Sequence, residues 1–361
     1  MRLEELEVIP YSLSFSEPYV TARGELHERK LILVRVRGEG LEGLGETSSL
    51  ALRGGIGIEA IASEIRDRCW PALLDGGVDP DRIWSAIARC RNRGASAQAL
   101  AAVDIALHDL VGKASGKSVW ALLGANEPAQ VVCNATLPAA NPAATRKLAE
   151  QWHALGFRTF KLKVGLPGDV TQVATVRETL GPEIAIRVDA NGAWSVADAA
   201  DRLCAMVQRD IELVEQPVGT FEQMVELRRH VEVTIAADES LVSPFDARRA
   251  RDLGACHVAA VKIAKVGGLS AALEIAEVMP SYLSSALEGP VGIAAAAHAA
   301  QGLRARGWDA GVAHGLATER LFSATIGRGV AAEGDRLILD EWCPGLGVEI
   351  DEEALAARRL D

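Results

Sequence analysis

From about residue 130 the chain repeats one unit: a short apolar run, a turn, then a stretch with apolar residues at helical spacing. The runs are VVCNATL (131–137), RTFKLKV (158–164), EIAIRVD (183–189), IELVEQP (211–217), TIAADES (234–240), HVAAVKI (257–263) and SYLSSAL (281–287). Mostly apolar strands alternating with helices specify a parallel sheet covered on both faces. So many consecutive units predict a closed (β/α) barrel, with an open doubly wound sheet as the alternative that spacing alone leaves.

The charged residues that interrupt these strands are the second constraint. They are Lys161, Lys163, Asp189, Glu215, Asp238 and Lys262, each at or near the C-terminal end of its strand. Starting from Lys163, the intervals are 26, 26, 23 and 24 residues, one βα unit each. A barrel would place all six at one rim, the end where such folds keep their active sites. Within RTFKLKV, alternation turns Lys161 and Lys163 to one side and Phe160, Leu162 and Val164 to the other. One charge at a strand end is ordinarily a solvated charge; six in register ask for a shared purpose. Three carboxylates at one rim raise one another's pKa unless a cation neutralises them. The lysines can be that cation. Three oxygen ligands on adjacent strands also suit Mg²⁺, with Mn²⁺ as a substitute. A neighbouring cation and burial both lower a lysine's pKa, which gives a base usable at neutral pH. A lysine base beside Mg²⁺ suits removal of a proton α to a carboxylate, because charge held at the carboxylate stabilises the enediolate that forms. The expected partner is therefore a small carboxylate substrate.

Ahead of the repeat, residues 1–55 read as strands, with LILVRVRGEG and LEGLGETS as a hairpin, and 56–124 read as helical. A β-then-α block is a domain of its own, so an α+β domain is expected over 1–125, completed by a returning tail at 335–361, with the barrel over 126–334. The formal net charge of −11, without a Lys/Arg cluster, argues against nucleic acid as a partner. The N-terminal MRLEELEVIP is acidic and lacks the apolar stretch of a signal peptide, and no apolar run reaches the ~18 residues of a membrane span. Six scattered cysteines without CxxC spacing and seven ungrouped histidines give no support to a disulfide framework or a zinc site, and fit the cytoplasm.

The set KLK (161–163), RVDANGAW (187–194), VEQP (214–217), ADES (237–240) and VKIAKVGG (261–268) resembles the muconate-lactonizing subgroup of the enolase superfamily. VDIALHDLVGKASGKSVWALLG (103–124) resembles that family's capping-domain helix. The resemblance covers nearly the whole chain. It implies an α/β fold, a (β/α)7β modified TIM barrel with an α+β capping domain, and a homo-oligomer, as is common in the family. It implies Asp189, Glu215 and Asp238 as Mg²⁺ ligands, with Asn191 and Glu239 orienting them. It implies Lys163 and Lys262 on opposite faces of the substrate and Lys161 at the substrate carboxylate. A lysine base with Mg²⁺ is the superfamily's known pairing, not an outcome of these spacings.

Within the subgroup, SSALEGPVGIAAAAHAA (284–300), CNATLP (133–138) and HGLAT (314–318) look most like the o-succinylbenzoate synthases, which serve menaquinone biosynthesis. N-succinylamino acid racemase, dipeptide epimerase and muconate cycloisomerase are the alternatives, since the same lysines serve them all. A barrel that binds a small molecule without catalysis is the alternative of another class, disfavoured by the complete set of carboxylates and lysines. Substrate contacts are expected from the loop SEPYVTARG (16–24), with Tyr19 and Arg23, and from Ser284 and Ser285. Glu288 is placed either on the substrate or in a rim salt bridge. VGGLS (266–270) is either an amide site for an anionic substrate group or a tight turn. His298 and His314 read as core or surface residues. The early Pro280 predicts a truncated helix before the seventh strand.

Overall fold

Three antiparallel strands begin the chain in a computed structural model that describes residues 1–50 and 55–360: β1 (Glu5–Thr21), β2 (Gly24–Gly38) and β3 (Leu41–Ser48). Residues 51–54, at the end of the expected strand region, and the final residue of the expected tail lie outside the described residues. The β2–β3 hairpin turns at Glu39 and Gly40, whose φ values of 54° and 75° are those of the primed turn that matches strand twist. Helices α1 (Ile58–Glu64), α2 (Trp70–Gly76), α3 (Ile83–Asn92), α4 (Ala97–Ser115) and α5 (Val119–Leu122) follow. Helix α4 starts at Ser96, whose side chain accepts from the Ala99 amide, and stops at Gly116 in the left-handed conformation. It lies directly on β3. A Cβ at Gly45 would stand 1.9 Å from the Ala102 carbonyl oxygen and one at Gly43 2.2 Å from that of Ala106. Asp109 of α4 then ties three parts of the chain together, accepting from the amides of Leu44 and Leu346 and from Lys113.

Seven parallel strands follow in ring order: β5 (Ala135–Leu137), β6 (Thr159–Lys163), β7 (Ala185–Asp189), β8 (Ile211–Glu215), β9 (Thr234–Ala237), β10 (Val258–Val261) and β11 (Ser281–Leu283), after a short β4 (Val131–Val132). Outside them pack α6 (Pro142–Ala154), α7 (Asp169–Leu180), α8 (Val196–Val207), α9 (Phe221–Leu227), α10 (Pro244–Leu253), the short α11 (Ile263–Val266) with α12 (Leu269–Val278), and α13 (Pro290–Ala305). Residues 312–315 close the ring. On one side His314 donates its amide to Val132 and accepts from Asn134; on the other Gly315 donates to Leu283 and accepts from Ser285. This is the (β/α)7β barrel with an N-terminal antiparallel cap, and the closed form is the one adopted. The described tail lies against the cap: Leu360 donates to Pro10 and Ser12 to Arg358, and Val119 at the start of α5 donates to Gly345. No helix of the described residues is long and apolar enough to cross a membrane.

Two expectations about the seventh unit are corrected. Helix α12 is not truncated. It runs ten residues, and Pro280 lies beyond it with Met279 already extended (φ −155°, ψ 153°), as the residue before a proline tends to be. Strand β11 has only three residues, because the chain leaves the sheet at Ser284 and turns through Leu287 at φ 65°.

The Gly-Gly pair is a docking turn. Ser270 donates both its amide, at 3.0 Å, and its hydroxyl, at 2.8 Å, to Asp104 of α4, so a carboxylate of the protein's own cap takes the start of α12. A Cβ at Gly268 would lie 2.4 Å from Asp104 Oδ2, and its φ is 111°. Gly268→Ala should therefore cost about 2–4 kcal/mol in urea unfolding, through strain and a displaced cap.

Glu46 of β3 is fully buried where the cap meets α13, accepting from the Tyr11 hydroxyl and, at 2.6 Å, from the Gly292 amide. Burial pushes its carboxyl from the ordinary 4.5 up to about 8. The folded state then binds a proton more tightly than the unfolded chain, so stability falls as pH rises between those two values. Glu46→Gln should flatten that decline, read as the difference in melting temperature between pH 5 and pH 8.

Candidate active site

The six charged residues meet at the C-terminal rim as an alternating lattice of ammonium groups and carboxylates. Asp189 and Glu215 end β7 and β8; Asp238 and Lys262 fall one residue past β9 and β10. Lys163 Nζ stands 2.6 Å from Asp189 Oδ2 and 3.3 Å from Asn191 Oδ1. Lys161 bridges two carboxylates, at 3.0 Å from Asp189 Oδ2 and 2.6 Å from Glu215 Oε2. Lys262 pairs with Asp238 Oδ2 and lies 3.9 Å from Glu215 Oε1. β6 and β10 are four places apart in a ring of seven strands plus its closing segment, so Lys163 and Lys262 face one another across the barrel.

These groups are all buried, and their titration follows from that. Burial alone would lower the Lys161 and Lys163 ammonium groups, but facing carboxylates, Asp189 foremost, outweigh it and both are raised. Burial would raise Asp189, but Lys161, Lys163 and Lys262 hold it well below the carboxylate range. Glu215 goes the other way, raised by burial and by the Asp189 charge. The lowered lysine pKa is expected beside a bound cation; in this arrangement Lys161 and Lys163 are raised, because each has a carboxylate within hydrogen-bond reach.

Among the described residues no three carboxylate, histidine or cysteine side chains are gathered closely enough to hold a metal as they stand. Ammonium groups stand between the carboxylates, the lysine neutralisation that the sequence left open. The donor set nevertheless fits Mg²⁺. It is all oxygen and comes from three adjacent strands, and Glu215 Oε1 is buried with no hydrogen-bond donor among the described residues.

A cavity opens above this lattice, lined by Lys161, Lys163, Lys262 and Asn191 from the barrel, Ser284 and Ser285 past β11, and Tyr19, Arg23 and Arg29 from the cap. Arg23 donates two hydrogen bonds to the Asn191 carbonyl, at 2.8 and 3.0 Å, which seats the turn between β1 and β2 on the site; residues 16–21, expected as a loop, are the end of β1. Asn191, itself at φ 48°, donates to Glu239 at 2.9 Å while its amide holds Asp189 Oδ1. Glu288 is the exception among the expected contacts. Among the described residues it does not line the cavity and makes no salt bridge; its buried carboxylate accepts from the Ser285 hydroxyl and the Ala286 amide, each at 2.6 Å, and braces the loop from behind. His298 is buried, neutral with its pKa pushed down to about 4, and accepts from the Trp120 amide; His314 accepts from the Leu283 amide at the barrel closure.

Four residues escaped the sequence reading. Lys265 reaches Asp238 Oδ1 at 2.5 Å; its position three after Lys262, one helical turn, was the available signal. Tyr282 shares an alternation face with Ser284 and donates to Glu215 Oε2 at 2.6 Å. Gln216 accepts from the amides of Asp238 and Ser240 and so fixes the Asp238 loop. Arg29, of the cap, spans to the Ala286 carbonyl at 2.6 Å.

Residues 5–124 match the mandelate racemase / muconate lactonizing enzyme N-terminal domain, and 144–354 match the family described as enolase C-terminal domain-like. An o-succinylbenzoate synthase of Thermobifida fusca is 37% identical over 239 residues, 64% of this chain and 71% of that one. Muconate cycloisomerase 1 of Pseudomonas putida is 31% identical over 95% of this chain and 94% of its own. Among solved structures, the dipeptide epimerase of Enterococcus faecalis complexed with Mg and L-Leu-L-Tyr superposes with a TM-score of 0.89 at 29% identity, covering 96% of this chain and 99% of that one.

Proposed function

We propose a reaction for this chain from the premise that it belongs to the mandelate racemase/muconate lactonizing enzyme family and is an enzyme, a lyase or an isomerase: Mg²⁺-dependent removal of a proton α to a carboxylate, with dehydration to o-succinylbenzoate as the outcome. The observation that carries it is the pair Lys163 and Lys262, buried on opposite sides of the barrel, both lining the cavity and each paired with a buried carboxylate, Asp189 and Asp238. The similarity to o-succinylbenzoate synthase supports the particular reaction, and the Mg in a related structure supports the metal.

Mg²⁺ held by Asp189, Glu215 and Asp238 would stabilise the anion formed when the proton leaves, and would take up the charge of Asp189 that otherwise keeps Lys163 protonated. Lys161 binds the substrate carboxylate. Lys163 takes the α proton, leaving its electron pair in the enediolate. That pair then expels the β-hydroxyl, which leaves as water from the same face with the proton that Lys163 returns. Lys262 keeps its ammonium on the opposite face and stabilises the anion by charge. Asn191 and Glu239 hold Asp189 and its loop in place.

The symmetry of the two lysines favours one second reading, racemisation of an N-succinyl amino acid with each lysine serving one enantiomer. Two assays with Mg²⁺ separate the readings. One follows the cyclohexadiene precursor of o-succinylbenzoate by ultraviolet absorbance; the other follows loss of the α-proton signal of N-succinyl amino acids in D₂O. Fast dehydration with slow exchange is the expected result. Exchange without dehydration makes the protein a racemase, and silence in both sinks both reactions.

A further inference from the structure

We propose that Tyr282 is a positioning residue for the metal site, fixing which oxygen of Glu215 faces an incoming cation; the inference rests on the metal-dependent reading above. Tyr282 lies on β11, three strands from β8, so its phenol reaches Glu215 across the barrel interior. The residue is 1% exposed. Its hydroxyl donates to Glu215 Oε2 at 2.6 Å, the same oxygen that Lys161 Nζ meets at 2.6 Å. Two donors on Oε2 leave Oε1 buried with no hydrogen bond among the described residues, and Lys262 Nζ is 3.9 Å from it. An ionised carboxylate has lone pairs on both oxygens, and a buried oxygen without a partner is costly unless a cation serves it.

The ring is anchored independently of its hydroxyl. The Arg187 guanidinium sits 5.6 Å from the ring centroid and is itself held by Glu212 and the Ala313 carbonyl. The other neighbours in this interior cluster, Leu213, Ala236 and Ala260, are apolar. Phenylalanine would fill the same space, so the hydroxyl acts at Glu215 alone.

The test is Mn²⁺ binding to the metal-depleted full-length protein, with free Mn²⁺ read by electron paramagnetic resonance. The proteins compared are wild type, Tyr282→Phe, Tyr282→para-aminophenylalanine and Asp238→Asn. Tyr282→Phe should weaken Mn²⁺ about 10–100-fold, the usual worth of a partner that orients a ligand. Its metal-free melting temperature should stay within about 3 °C of wild type, a combination that a merely structural tyrosine would not give. The para-amino variant returns a donor and should bind within about threefold of wild type. A change of twofold or less in Tyr282→Phe, with binding lost in Asp238→Asn, overturns the role of Tyr282 and leaves the metal site standing. Undiminished binding in Asp238→Asn overturns the metal reading and this inference with it. If Tyr282→Phe does not fold, the para-amino variant decides: near-wild-type affinity supports the donor role, and a loss beyond tenfold overturns it.

Discussion

Lys163→Ala is expected to lower dehydration at least about 10³-fold while the protein stays folded, because a positioned base is worth about 10²–10⁴ and the other lysine on that side, Lys161, is held between Asp189 and Glu215. The folded state should survive because Asp189 keeps a cation. Lys161 is 3.0 Å from the same oxygen, so the variant does not strand a buried charge, the situation that costs about 3–5 kcal/mol. Lys163→Arg separates charge from proton transfer. It restores a cation beside Asp189 but cannot give up a proton at working pH. Equal loss in the alanine and arginine variants identifies a base; substantial recovery in Lys163→Arg would show that only the charge matters, and the proposed step would have to be abandoned. Steady-state turnover by ultraviolet absorbance and melting temperature on the same samples make the comparison.

The parts of this site that were legible in the sequence are those that a repeat length dictates. One strand, one turn and one helix take a nearly fixed number of residues, so charges recurring at that interval must share a rim, and Lys161 through Lys262 do. Tyr19 and Arg23 do line the cavity, but from the end of β1 and the tight turn before β2 rather than from a loop. What was hidden depends on contacts between distant elements or on single dihedral angles. Strand alternation gives the direction of Tyr282 but not that its hydroxyl meets Glu215 three strands away. Spacing also does not give the turn at Leu287, which directs the Glu288 carboxylate to the Ser285 hydroxyl and the Ala286 amide. The closing segment 312–315 has no strand signature; it is defined by hydrogen bonds to the two strands it joins. Spacing puts lysines and carboxylates at one rim without saying which of them touch, and in this arrangement contact at 2.6 Å outweighs burial for Lys163.

Lys262→Ala decides how the two faces share the work. Asp238 would still hold Lys265 at 2.5 Å, so the fold should again survive. If Lys262 serves by charge alone, as dehydration requires, the variant should lose about 10²–10³-fold in dehydration, the scale of removing one electrostatic stabiliser. Proton removal by Lys163 would slow in parallel, and Lys262→Arg, which keeps the charge, should recover part of the rate. Racemisation predicts a different pattern on N-succinyl substrates in D₂O. Lys262→Ala would then abolish exchange for one enantiomer and leave the other, whose proton faces Lys163, exchanging. Lys163→Ala would show the mirror result. The arginine variant is informative again, because a guanidinium cannot take a proton and so rescues dehydration but not exchange. Dehydration by Lys262→Ala within tenfold of wild type would remove Lys262 from the reaction altogether. That result would leave its pairing with Asp238 as its whole role, and the cavity would then work from one face only.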